Sequence, residues 1–164
     1  GIVNTLIGGW QVGGIYTYRS GLPFNATTGA FPVSIGSESA AVLTGNGSAL
    51  QQQIHDAADG SIQFFGNQAA ALAALSFPQN GSSAGNRNVL RGPGFWNVDT
   101  SVLKNFSLPW SETQRIQFRW ESFNAFNHNA FNLPNTSISN TLFGQITSSA
   151  SSPREMQFAL RFEF

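Results

Sequence analysis

Four segments of this chain alternate apolar and polar side chains at every second residue. In the last segment, residues 154–164, Phe158 and Phe162 alternate with Gln157 and Arg161. Alternation of this kind is typical of β-strands that have one apolar and one polar face. It predicts an all-β, antiparallel fold. The predicted strands lie at about residues 6–20, 94–108, 114–126 and 154–164.

The apolar faces of these segments have the features of a membrane surface. Aromatic residues such as Trp10, Trp96 and Phe162 lie at or near their ends, and the spans match the roughly 9–11 residues of a tilted membrane strand. Apart from Arg154, which follows Pro153 at a strand start, Lys104 is the one charged residue on an apolar face, near a strand end where its stem can reach a polar boundary. We interpret the apolar side as facing lipid, although a soluble sandwich would show the same alternation.

The composition excludes several classes of protein. Eight basic and eight acidic residues balance each other, so no nucleic-acid partner is expected. The chain has no cysteine, which rules out disulfides and thiolate metal sites. Its two histidines, His55 and His128, lack ligand spacing, so we expect neither a metal nor a cofactor. The apolar run at residues 69–77 is too short for a membrane helix.

The connections between the predicted strands are of unequal length. Residues 109–113 form a short turn, whereas about residues 25–92 and 127–152 form long loops. Short turns at one end and long extracellular loops at the other are typical of outer-membrane barrels. Within the first loop, residues 48–60 and 67–78 each predict a short helix, the first closed by Gly60 and the second opened by Asn67.

The polar faces and the first long loop contain the candidate functional residues. Charged residues on the polar faces predict a cross-strand network inside the barrel, although a ligand path along the same surface remains an alternative. The predicted network consists of Arg19, Asp99, Arg115, Arg119, Glu121 and Arg161, and Glu163 is predicted to face the same interior. In the long loop, the candidate ligand contacts are Phe64, Phe65, Arg87 and Arg91.

The last eight residues, QFALRFEF, resemble the C-terminal signal that delivers outer-membrane barrel proteins to the barrel assembly machinery. The positions that carry this resemblance are Gln157, Ala159, Phe162 and Phe164. The family prefers glycine where this chain has Ala159. Such a signal works by strand addition, in which an edge strand offers its backbone while alternate side chains fill pockets.

Four longer stretches together resemble the C-terminal end of large TonB-dependent outer-membrane receptors. They begin with GGWQVGGIYTYRSGLPF and GNRNVLRGPGFWNVDTSVLKNF and continue with RIQFRWESFNAFNHNAFNLPNT and FGQITSSASSPREMQFALRFEF. The subgroup that they resemble has an N-terminal carboxypeptidase-regulatory-like domain. The resemblance leaves out about residues 28–84.

This resemblance implies a 22-stranded barrel in which residues 1–164 supply the last four strands of one β-barrel domain. Its implied function is uptake of a scarce ligand, a metal chelate or a glycan, in the bacterial outer membrane. The implied partners are the remaining barrel strands, the plug domain, the assembly machinery and lipid. Because the chain begins at Gly1 rather than Met, we expect it to be part of a longer protein or a processed product.

Two other classes of protein fit the pattern, and a third fits poorly. The chain could be a soluble β-sandwich module that binds glycans, or a small barrel assembled from several copies. The stretch GSSAG at Gly81–Gly85, followed by Asp99 and His128, matches a hydrolase nucleophile motif. Because the buried strand and the helix that such a motif requires are missing around it, we expect no enzymatic activity.

Overall fold

A computed structural model describes residues 7–29, 40–78, 86–108, 110 and 114–164. The chain divides into two compact units. The sheet unit comprises Gly1–Tyr18, Trp96–Asn129 and Ser151–Phe164, and the loop unit comprises Arg19–Phe95 and Ala130–Ala150. Within the described ranges, no helix has the length and apolarity needed to cross a membrane.

The described elements are mostly short strands. In chain order they are β1 (Trp10–Arg19), β2 (Pro23–Phe24), β3 (Val42–Leu43), a 3₁₀ helix (Gly47–Leu50), β4 (Gln52–Asp56), β5 (Ile62–Phe65), α1 (Gln68–Ala73), β6 (Leu75–Ser76), β7 (Leu90–Arg91), β8 (Phe95–Ser107), β9 (Arg115–Phe123), β10 (Gln145–Ile146) and β11 (Glu155–Glu163).

The sheet unit is built around one four-stranded sheet in the order β1-β8-β9-β11. These four strands lie within the four alternating segments, and β9 pairs antiparallel with both β8 and β11. A backbone hydrogen bond of 3.3 Å from Leu108 to Gln114 closes the β8–β9 hairpin. The predicted all-β, antiparallel fold is confirmed. Most of the predicted short turn at residues 109–113 lies outside the described residues.

The register of this sheet places apolar residues opposite apolar residues. Phe118 pairs with Leu160, and Trp120 pairs with both Val102 and Phe158. Since successive side chains of a strand point to opposite faces, the intervening residues of all three strands share the other face. The alternation in the sequence therefore produces a sheet with one apolar and one polar face.

The loop unit has a compact apolar core of its own. Phe64 packs edge-on against Phe24 and Phe65, at ring-centroid distances of 5.8 and 4.9 Å, and Phe65 stacks on Phe143 at 5.3 Å. Gly144 has a φ of 80°, and a Cβ there would lie 2.8 Å from the Phe65 ring. Glycine at this position therefore allows the second long connection to cross the core closely.

Both long connections contribute strands to this unit. β10, from the second connection, pairs with β5 from the first, and β5 pairs with β4. Thr27 and Ser137 form a further bridge between the two connections. The two predicted loops therefore fold together in one unit rather than as two independent loops.

The first predicted helix is wrong, and the second is confirmed. Residues 48–60 form the end of the 3₁₀ helix, then β4, and then a turn in which Gly60 has a φ of 80°. Pairing with β5 and partial burial of Ile54 against the core favour a strand here over a helix. In α1, the Asn67 side chain caps the first turn by accepting a hydrogen bond of 2.9 Å from the Ala70 amide.

Candidate functional site

The apolar face of the sheet is largely exposed on the two outer strands. Val12 is 77% exposed, Phe158 68% and Leu160 73%. A soluble domain would cover a surface of this kind, because contiguous exposed apolar patches mark contact with another protein or with a membrane. The face therefore requires an apolar environment outside the chain.

Lys104 lies on this apolar face and is buried. Its ammonium group donates to the Gly8 carbonyl oxygen and lies 4.9 Å from the ring centroid of Trp10 and 5.3 Å from that of Phe106. The two aromatic faces and the carbonyl oxygen stabilise the positive charge. The stem of Lys104 therefore carries its charge to a backbone carbonyl oxygen rather than to solvent.

The polar face contains cross-strand and same-strand ion pairs. Arg115 donates to Glu163, its direct neighbour on β11, and Arg161 lies 3.5 Å from the same carboxylate. Arg119 pairs with Glu121 at 2.5 Å. The structure thus brings four of the six predicted network residues into ion pairs, with Glu163 as an additional member.

Asp99 belongs to a different group of contacts. Its carboxylate accepts hydrogen bonds of 2.8 Å from the Asn97 side chain and 2.9 Å from the Asn124 backbone amide. The Asn124 side chain in turn bonds to His128 through both its oxygen and its nitrogen, and to the Ser152 carbonyl at 2.9 Å. Asp99 therefore fixes the corner that follows β9, rather than joining the ion pairs.

Sequence reasoning missed Asn124 and Asn127 as determinants of this corner. Both have positive φ angles, of 50° and 51°, which asparagine tolerates better than most residues. The Asn127 side chain accepts a hydrogen bond of 3.1 Å from the Arg154 amide just before β11. The recurring asparagines in SFNAFNHNAFN could have predicted this corner. Asparagine side chains commonly form hydrogen bonds in turns that take the place of backbone hydrogen bonds.

Arg19 is also separate from the ion-paired group. Its guanidinium carbon lies 5.2 Å from the ring centroid of Phe95. Both residues belong to the loop unit, where a cavity of about 140 Å³ lies beside them.

Two of the predicted ligand contacts, Phe64 and Phe65, lie in the apolar core of the loop unit. They are 0% and 1% exposed, because their rings form the centre of the loop-unit core. Arg87 is exposed. The Arg91 guanidinium donates to the Gly21 carbonyl oxygen at 3.0 Å, and this bond holds two backbone segments together.

Asp99 and His128, the other two residues of the hydrolase match, lie among the described residues. Gly81–Gly85 lies outside them. His128 stacks on Trp96 at a centroid distance of 3.9 Å, with its Nδ1 3.2 Å from the Trp96 carbonyl oxygen, while Asp99 bonds to asparagines. Within the described ranges, no three His, Asp or Glu residues cluster as metal ligands would.

The C-terminal strand places the predicted assembly signal at a sheet edge. β11 is an outer strand of the four-stranded sheet. Phe162 and Phe164 stack at a centroid distance of 6.1 Å, and Phe164 is 93% exposed. Gln157 and Ala159 lie opposite Glu121 and Arg119 on the other face. The strand thus offers its backbone edge and two aromatic rings together.

Comparison with known protein families identifies the class of this protein. The sequence matches the outer membrane beta barrel domain family over residues 1–157. The chain belongs to that family, and the protein is located in the bacterial outer membrane. No curated protein and no solved structure matches the chain.

Proposed function

We propose that the chain forms part of a TonB-dependent receptor that takes up a scarce ligand across the outer membrane. The observation that carries this proposal is the two-faced sheet, which combines an exposed apolar face with a polar, ion-paired face. In an outer-membrane barrel, the first face contacts lipid and the second lines the interior. The resemblance of four stretches of the sequence to such receptors adds the specific class.

The edges of the sheet support a barrel larger than these four strands. Among the described strands, β1 and β11 each pair on one side only. An unpaired strand edge cannot lie in hydrocarbon, because its backbone groups would lack hydrogen-bond partners. In our proposal, further strands of the same receptor pair with both edges, a plug domain fills the interior, and the assembly machinery recognises β11 through Phe162 and Phe164.

A barrel assembled from several copies of this chain is the second candidate, since copies could also pair the two open edges. The soluble β-sandwich is disfavoured, because a sandwich would bury the apolar face that is exposed at Val12, Phe158 and Leu160.

The loop unit is the candidate ligand-binding region of this receptor. Both long connections leave the sheet at the end formed by Arg19, Phe95, Phe123 and Glu155, whereas β8 ends and β9 begins at the opposite end, where Ser107 pairs with Arg115. In outer-membrane barrels the long loops are extracellular. We propose that this unit contacts a metal chelate or a glycan outside the cell, and that the protein binds and transports without catalysing a reaction.

The first test is the denatured mass of the polypeptide purified from its native outer membrane. A receptor predicts a mass several times the 17.6 kDa of this chain, together with uptake that stops when the proton-motive force is dissipated. A denatured mass of 17.6 kDa, with a native mass in detergent that is a multiple of it, would contradict the receptor and favour the multi-copy barrel.

A further inference from the structure

The cavity in the loop unit combines an apolar interior with a cationic rim. Its volume is about 140 Å³, and its apolar lining includes Phe95, Phe131 and Leu133. Arg19 and Ser20 also line it, and both are exposed. Pockets that bind small molecules typically combine mostly apolar walls with a few polar groups that fix the orientation of the ligand.

Two backbone segments that approach very closely form one wall. The Gly92 amide donates to the Leu22 carbonyl oxygen at 2.9 Å. A Cβ on Gly21 would lie only 1.8 Å from the Gly92 carbonyl oxygen, so no other residue fits there without displacing the backbone. This close contact fixes the position of Leu22 and of the chain that leads into Phe95.

The part of the lining that comes from the second long connection is held by its own hydrogen bonds. Phe131 forms a bridge with Ser149, and the Asn132 backbone amide donates to the Ser148 carbonyl oxygen at 3.1 Å. The Asn132 side-chain nitrogen donates to the Ser148 hydroxyl and to the Ser149 carbonyl, each at 3.0 Å. Because that nitrogen is already engaged, Arg19 and Ser20 are the lining side chains best able to donate to a ligand.

The described lining of the cavity carries a positive charge, that of Arg19. Among the described residues that line it, none is Asp or Glu. The ion pairs found in the described part of the chain use Arg115, Arg119 and Arg161, whereas Arg19 lies over the Phe95 ring. A guanidinium placed in this way keeps its planar fork of donors available, and that fork matches the geometry of a carboxylate.

We propose that this cavity binds a single-ring organic carboxylate, with the ring among the apolar walls and the carboxylate on Arg19. An apolar cavity of about 150 Å³ is large enough to hold benzene, which is close to the volume found here. The proposal concerns binding at equilibrium. It goes beyond the proposed uptake and does not depend on whether the protein transports what it binds.

The test uses the full native-length protein in detergent micelles and two matched probes, 4-fluorobenzoate and neutral 4-fluorobenzamide. Titrations followed by fluorine NMR give a dissociation constant for each. We expect the benzoate to bind at least tenfold more tightly than the benzamide. Arg19→Gln should weaken benzoate binding by roughly ten- to a hundredfold, as the loss of one charge-assisted hydrogen bond predicts, and should leave benzamide binding nearly unchanged.

Two further variants distinguish binding in this cavity from general effects of a substitution on the fold. Ala150→Leu adds volume at a lining residue that is exposed, and should weaken both probes while Arg19 is intact. Arg154→Gln removes an exposed cation that is not among the described residues lining the cavity, and should change neither constant. Equal affinity for the two probes, or benzoate binding that survives both Arg19→Gln and Ala150→Leu, would overturn the proposal whatever the outcome of uptake assays.

Discussion

The two units of this chain bury their side chains in opposite ways. In the loop unit, the buried residues include Phe64, Phe65 and Phe143, as in a water-soluble domain. In the sheet unit, the buried residues among those described are polar: Lys104, Ser122 and Asn124. The same chain thus carries a core suited to water and a wall suited to lipid, and the stability of each unit should depend on different contacts.

The largest expected effect is the loss of a ring from the loop-unit core. Phe64→Ala should destabilise this unit by about 3–5 kcal/mol, because it removes a fully buried ring and leaves a cavity. Amide hydrogen exchange of β5 in the micelle-bound protein would measure the loss of local stability. The sheet amides of β9 should keep their protection.

Phe77→Ala is the matched control for this substitution. Phe77 belongs to the same unit but is 54% exposed, so its loss should change the stability by about 0.5 kcal/mol or less. Equal losses for the two variants would mean that Phe64 is not the centre of a packed core.

The next largest expected effect comes from a charge on the apolar face of the sheet, which we interpret as facing lipid. Leu160→Arg places a charge on the apolar face and should cost about 2–4 kcal/mol if it reaches the bilayer midplane. Gln157→Arg, on the polar face of the same strand and opposite Glu121, should cost much less. Urea unfolding from lipid vesicles compares them. Similar costs for the two variants would contradict a sheet with one lipid-facing side.

The sheet was predictable from the sequence, whereas the loop unit mostly was not. Alternation over about ten residues is a local signal, and β1, β8, β9 and β11 lie where it occurs. β4 and β10 are short and depend on pairing with β5, a contact between distant parts of the chain. Such strands have no local pattern strong enough to distinguish them from a helix or a loop.

The same distinction explains which site residues were predicted. The ion pairs of Arg115, Arg119 and Arg161 follow from their shared face, which residue parity alone assigns. The burial of Phe64 and the place of Arg19 beside a cavity depend on how the two long connections fold together. No spacing within a single segment carries that information.

A third effect, smaller than that at Leu160, concerns the corner after β9. Asn124→Gly keeps a residue that tolerates positive φ but removes the side-chain bonds to His128 and Ser152. Losing these partly buried hydrogen bonds should lower the free energy of unfolding by about 1–3 kcal/mol, measured by urea unfolding from lipid vesicles. Asn88→Gly, at an exposed residue with a φ of 57°, reports the backbone effect alone. If Asn88→Gly lowers the free energy of unfolding as much as Asn124→Gly does, the side-chain bonds of Asn124 do not stabilise this corner.

The smallest effect is a pH dependence at the tip of the β4–β5 hairpin. The Ser61 hydroxyl and backbone amide donate to the Asp59 carboxylate at 2.7 and 2.9 Å, and these bonds lower the pKa of Asp59. Because the pKa of Asp59 is lower in the folded protein than in the unfolded chain, the stabilisation is fully present above the unfolded pKa and is lost as the pH falls through the folded value.

Ser61→Ala removes the hydroxyl donor, which is the largest cause of the shift, so the pKa of Asp59 should rise towards its ordinary value. Carbon-13 NMR titration of the carboxyl group would detect this rise, with Ser48→Ala as the control. A titration curve unchanged by Ser61→Ala would show that the hydroxyl bond does not form in solution.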